Sequence, residues 1–122
     1  MAATLRSDLI SSVNPFSVVY RHGGTEVGSG VRIATQVVII PANHVRGDES
    51  RPLFQAGYTA RGIRIGDHVW LGAGCRILDG VEIGDHAVVG AGCVVTKSVA
   101  SRATVVGNPA RVLQEAQSRD AV

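Results

Sequence analysis

One histidine stands out by position. His44 closes the run PANH, directly before VRGDESRPLFQAGYTARG, a polar stretch rich in turn-forming residues. A neutral imidazole accepts a proton near pH 7, which is the chemistry of a general base. Glu26 stands 18 positions before His44. His68 and His86 repeat at the same interval in two IGDH runs, and Cys75 and Cys93 in two GAGC runs. Two histidines side by side suggest a metal, but a zinc site wants three or four ligands, so turn residues are the expected role. Trp70, the one tryptophan, precedes Val88 by 18. An exposed Trp–Val stripe wants a partner, either another subunit or a ligand. His22 has no supporting partner in the sequence.

What positions these residues is a repeat of six. From Ile65 the chain reads IGDHVW, LGAGCR, ILDGVE, IGDHAV, VGAGCV, VTKSVA. Each block opens with an aliphatic residue, and the fifth place is small or β-branched. A period of six fits neither an amphipathic helix nor a simple alternating strand. It fits a parallel β-helix, in which a short strand and a turn make one side of a coil. Three sixes close a triangular coil, so positions three sixes apart stack at about 4.8 Å. Openers and fifth places point inward, and sixth places outward. His44, Trp70 and Val88 are therefore outward. Glu26 is expected one coil from His44, either orienting its ring or as a solvated surface carboxylate. Cys75 and Cys93 stack inward, poorly aimed for a disulfide, and are expected to be buried reduced thiols.

The sixes, with the closing VVGNPARVL at 105–113, resemble the hexapeptide-repeat acyltransferases, nearest to the maltose, galactoside and polysaccharide O-acetyltransferases. The resemblance spans roughly 14–114. It implies an all-β, left-handed parallel β-helix that works as a homotrimer, with sites between subunits and acetyl-CoA as donor. It places His44 as the catalytic base. Trp70 matches the tryptophan of the family's VWIG motif. Ala73 and Ala91 fall where the family touches the pantetheine arm. Thr96 and Lys97 match VVTK, and Arg111 matches GNPxR; the two cations would meet the donor's phosphates as a point charge and a fork. The family often has a second basic residue three after Arg111, where this chain has Gln114. The related β-helix carbonic anhydrases need a His-x4-His pair that this chain lacks, so no metal is expected.

The whole chain, 1–122, reads as one domain of about four coils. Residues 1–13 are a lead-in, with a short helix from Ala3 to Ser11 over the first coil edge. The β-helix runs 14–106, with Phe16, Val18 and Val19 in its first strand. The second clear run of sixes, VGSGVR, IATQVV, IIPANH, opens at Val27 and ends at His44. The interval from Val27 to Ile65 is six sixes plus two, so phase is lost and 45–64 protrudes as a loop. Asn108 as N-cap and Pro109 at N1 announce a C-terminal helix from Ala110 to about Ser118, followed by a tail. Val112, Leu113 and Ala116 share its apolar face. Net charge is +2 with 11 Arg and one Lys, too balanced for nucleic acid. No apolar run approaches the ~20 residues of a membrane span, and no secretory signal opens the chain. The expectation is a cytoplasmic enzyme acetylating a hydroxyl on a sugar or similar small molecule. A xenobiotic (antibiotic) acetyltransferase and a non-catalytic β-helix scaffold are the alternatives.

Overall fold

The structure, a computed structural model, describes residues 3–5, 12–13, 15–19, 24–44, 50 and 57–115. Among them every regular element is a β-strand. Three sheets form the sides of a coil. Sheet A stacks β1 (Ala3–Leu5), β4 (Thr25–Val27), β9 (Ile63–Ile65) and β12 (Glu82–Ile83) in that order. Sheet B runs β2 (Ser12–Val13), β5 (Arg32–Ile33), β10 (Trp70–Leu71), β13 (Val88–Val89), β15 (Thr104–Val106), β16 (Arg111–Gln114). Sheet C runs β3 (Val18–Val19), β6 (Val38–Ile40), β11 (Arg76–Leu78), β14 (Val94–Val95). Successive strands visit A, B and C in turn, as β9, β10 and β11 do, and their pairings are parallel. This is the coil that the sixes predict.

The core follows the repeat. All six openers from Ile65 to Val95 are buried, and so are all six fifth-place residues from Val69 to Val99. They join Val27, Val31, Ile33, Val37 and Ile39 in one continuous apolar column. Cys75 and Cys93 lie in it as free, buried thiols.

The IGDH runs build the corner between sheets A and B. The Asp67 carboxylate accepts the Ser29 N–H at 2.9 Å, and the Asp85 carboxylate accepts the Asp67 N–H at 2.7 Å. Each aspartate thus satisfies a corner amide one coil below. A Cβ on Gly66 would collide with the Asp85 carboxylate, which is why glycine precedes the aspartate. His68 and His86 follow with left-handed backbones, φ 57° and 61°.

Register shows where the period of six breaks. Arg64, Trp70 and Arg76 pair with Glu82, Val88 and Val94, each three sixes further along. Across the lost phase, Glu26, Arg32 and Val38 pair with Arg64, Trp70 and Arg76, each six sixes plus two further along. One coil is therefore more than twice the ordinary length. The base of its excursion is an antiparallel ladder of β7 (Asn43–His44) and β8 (Tyr58–Thr59), so the excursion ends at β9 rather than at 64. Residues 45–49 and 51–56 lie outside the described set.

Three expectations are corrected. The lead-in helix is not formed where the chain is described: β1 pairs with β4 and β2 with β5. Strand pairing satisfies the backbone groups that the open edges of β4 and β5 would otherwise leave bare. The C-terminal helix is replaced over 111–114 by β16, antiparallel to β15. Asn-Pro is as much a turn signal as a helix start, and so short a helix is marginal beside an unpaired sheet edge. Residues 116–118 lie outside the described set. Finally, the last block is not in phase. Ile83 bridges Val99, and Val88 pairs with Thr104, both two short of three sixes. Where the lower coil turns through Asp79-Gly80, with Gly80 at φ 83°, Thr96-Lys97-Ser98 cuts the corner short.

Candidate active site

The corner between sheets B and C is built differently from the aspartate corner. Each coil turns there through two residues: Pro15-Phe16, Thr35-Gln36, Ala73-Gly74 and Ala91-Gly92. The second of each pair is left-handed: φ is 65° at Phe16, 59° at Gln36, 72° at Gly74 and 71° at Gly92. The layers are tied by backbone bonds, Gly74 N–H to Thr35 O at 3.0 Å and Gly92 N–H to Ala73 O at 2.8 Å. In the upper two layers the corner residues themselves carry no side chain larger than the exposed methyls of Ala73 and Ala91. A Cβ on Gly92 would meet nothing within 4 Å, and one on Gly74 only the Gly92 nitrogen at 3.9 Å. The result is a shallow, open, smooth track along the coil axis. At its lower end the Gln36 side chain and the Phe16 ring, 82% exposed, stand up from the surface.

Trp70 borders this track from the outer face of sheet B. It is 56% exposed and in register with Val88 above and Arg32 below, so the expected Trp–Val column is present. At the upper end, Gly107–Ala110 folds over sheet C. Val94 N–H reaches Gly107 O at 3.0 Å, and Ala110 N–H reaches Val94 O at 2.9 Å. Arg111 follows directly, exposed, its Nη1 donating to Ala110 O at 3.0 Å. Trp70, Ala73, Ala91 and Arg111 are thus brought to one edge of the chain. Thr96 and Lys97 are exposed at the far end of β14, on the shortened corner leading to sheet A. The stretch from Ala91 to Lys97 spans at most about 20 Å.

His44 lies at the root of the excursion, its backbone opposite Tyr58. That is the junction expected of it, where the coil gives way. Glu26 is not its neighbour by register. The position after Glu26 in sheet A is Arg64, which pairs with it at 3.3 Å on the surface. The count of three sixes from Glu26 to His44 fails because the chain leaves the coil before completing it.

The paired histidines and cysteines stack within the coil. The His68 and His86 rings stack at 5.0 Å with 22° between planes, as their spacing predicts. Among the described residues no three His, Cys, Asp or Glu converge as metal ligands. Burial pushes the Cys75 thiol up to about 12, helped by Cys93 and opposed by Arg76, and burial raises Cys93 as well. Neither is a thiolate nucleophile at neutral pH. His22 is outside the described residues. Among those residues no helix is long and apolar enough to cross a membrane.

Sequence reasoning passed over Arg76. It takes the outward sixth place of its block, six after Trp70, which is the signal that marks it. Its side chain turns back onto the track, and Nη1 donates to Gln36 O and Gly74 O, both at 2.8 Å. Three open depressions line the other side of the chain instead, along the outer face of sheet A around Glu26, Arg64 and Glu82. They hold neither the predicted base nor any residue predicted to meet the donor.

Residues 62–97 match the family described as bacterial transferase hexapeptide (six repeats). Nodulation protein L of Rhizobium meliloti is 53% identical over 87 residues, 70% of this chain and 46% of that protein. A hexapeptide-repeat-containing acetyltransferase of Vibrio cholerae, solved with acetyl coenzyme A, superposes with a TM-score of 0.86 at 28% identity. The match covers 96% of this chain and 62% of that one. A galactoside acetyltransferase in complex with coenzyme A matches with a TM-score of 0.76 at 33% identity, over 85% of this chain and 51% of that one. The chain spans about half the length of nodulation protein L and of the galactoside enzyme. By its repeat, its matched residues and its three-sided parallel coil, the chain belongs to the hexapeptide-repeat transferase family.

Proposed function

We propose that the chain acetylates a hydroxyl group of a sugar or saccharide-like acceptor, with acetyl-CoA as donor. The observation that carries this is the smooth corner track past Ala73 and Ala91, bordered by Trp70, with Arg111 at its upper end. An extended pantetheine arm fits such a track because it can lie against backbone. The likeness to a galactoside acetyltransferase bound to coenzyme A and to nodulation protein L supports the donor and the acceptor class. Lys97 and Arg111 hold the donor's phosphates as a point charge and a planar fork, with Thr96 beside them.

His44 takes the proton from the acceptor hydroxyl. The freed oxygen attacks the thioester carbonyl carbon, and a tetrahedral oxyanion forms. Its collapse breaks the C–S bond, and the imidazolium returns its proton to the departing thiolate. No acyl-enzyme is needed, and the buried cysteines are unsuited to forming one. The open side of the track needs a wall. A left-handed β-helix trimer supplies it from a neighbouring subunit, so the sites lie between subunits. The test is release of CoA from acetyl-CoA with galactosides, maltose and chitin oligosaccharides as acceptors. His44→Ala is expected to lower the rate by at least about 100-fold. Turnover of an acceptor by that variant at the wild-type rate contradicts the mechanism.

A further inference from the structure

The Arg76 guanidinium is held at the corner by one end only. Its Nη1 carries two hydrogens, shared among Gln36 O at 2.8 Å, Gly74 O at 2.8 Å and Cys75 O at 3.3 Å. A guanidinium has five N–H donors in a rigid plane. The three on Nε and Nη2 have no partner among the described residues. Its backbone pairs in register with Val38 below and Val94 above, and the side chain is half-buried. The fork is therefore fixed in orientation and only partly engaged, with its remaining donors beside Gly74, on the open track. A solvated surface arginine needs no such anchorage, and fixing a long side chain costs rotamer entropy.

We propose that Arg76 is a donor-binding residue whose Nε and Nη2 hydrogens bond an amide carbonyl of the pantetheine arm. This rests on the acetyl-CoA reading above. The layers decide which part of the donor it meets. Arg76 lies one strand below Val94, and Ala110 bonds over Val94 in turn. Arg76 is thus about two strand spacings, roughly 10 Å, below the turn that carries Arg111. If Arg111 grips the phosphates, the part of the donor at Arg76 is the amide-bearing arm. The fork also offsets the missing basic residue at Gln114 by adding grip on the arm instead of on the phosphates.

The experiment compares two ligands by calorimetry: acetyl-CoA, and adenosine 3′,5′-bisphosphate, which has phosphates but no arm. The variants are Arg76→Gln and Arg76→Lys, the second keeping the charge and stem should the first fold poorly. Melting temperature checks each fold. We expect acetyl-CoA binding to weaken 5- to 20-fold in both variants, while the bisphosphate binds within twofold of wild type. Unchanged acetyl-CoA binding in a folded variant overturns the proposal. So does equal weakening of both ligands, which makes Arg76 a phosphate contact. Wild-type protein that binds the bisphosphate but not acetyl-CoA, or neither, overturns the donor reading itself and is told apart by the wild-type titration alone.

Discussion

At the residue scale, burial and spacing together decide which polar groups act and which only stack. Burial holds the Cys75 thiol neutral up to about 12, against an ordinary 9.0. The folded chain keeps a proton that the unfolded chain releases as pH passes 9. The stabilisation is whole below pH 9 and is lost as pH rises toward 12. At pH 10 the loss is about 1.4 kcal/mol. A urea midpoint that falls between pH 8 and 10, with a smaller fall in Cys75→Val, is the expected result; equal falls contradict it. Thr25 gives a second test. It is fully buried, and its Oγ1 has no hydrogen-bond partner among the described residues. Thr25→Val removes an unpaired hydroxyl at nearly constant shape, so stability should rise by about 1 kcal/mol. A drop in the denaturation midpoint means the hydroxyl is satisfied after all. The sequence disclosed these columns wherever the chain stays in the coil. Val88 over Trp70 and His86 over His68 follow from three uninterrupted sixes. Glu26 and His44 did not follow, because the excursion intervenes. Arg76 was hidden for another reason: a period says that a side chain points outward, not that it folds back across a corner.

At the element scale, each corner has its own chemistry. Gly66 exists for the approach of the Asp85 carboxylate, whereas Gly92 faces open space but has a left-handed backbone. Gly66→Ala should therefore cost about 2–4 kcal/mol, since backbone and carboxylate must both shift. Gly92→Ala should cost only about 1 kcal/mol, the strain of a left-handed alanine. Thermal unfolding of the two variants separates them; equal losses contradict the assignment of the corners. The strands of the core were legible because openers and fifth places repeat. The two ends were not. A coil edge recruits whatever chain is near, and edge pairing outweighs the local helix signals at Ala3–Leu5 and Asn108-Pro109. The shortening at Thr96–Ser98 leaves the aliphatic spacing of its block intact and shows only in the register.

At the scale of the whole molecule, the account needs one long ligand to join residues that the chain keeps apart. Arg111, Arg76 and the Ala91–Ala73 track lie along one edge, Lys97 at the next corner, and His44 where the coil opens. Net charge is only +2, so an anionic donor is drawn by these placed cations rather than by a general field. The central claim is that acetyl-CoA lies along that edge. Titration calorimetry of acetyl-CoA against wild type and the Lys97→Ala/Arg111→Ala double variant tests it most directly. The account predicts micromolar binding to wild type, weakened by about 30-fold or more when both cations are removed, in line with two charge-assisted contacts. No binding to folded, assembled wild type at millimolar acetyl-CoA contradicts it and leaves a β-helix scaffold as the function of the chain.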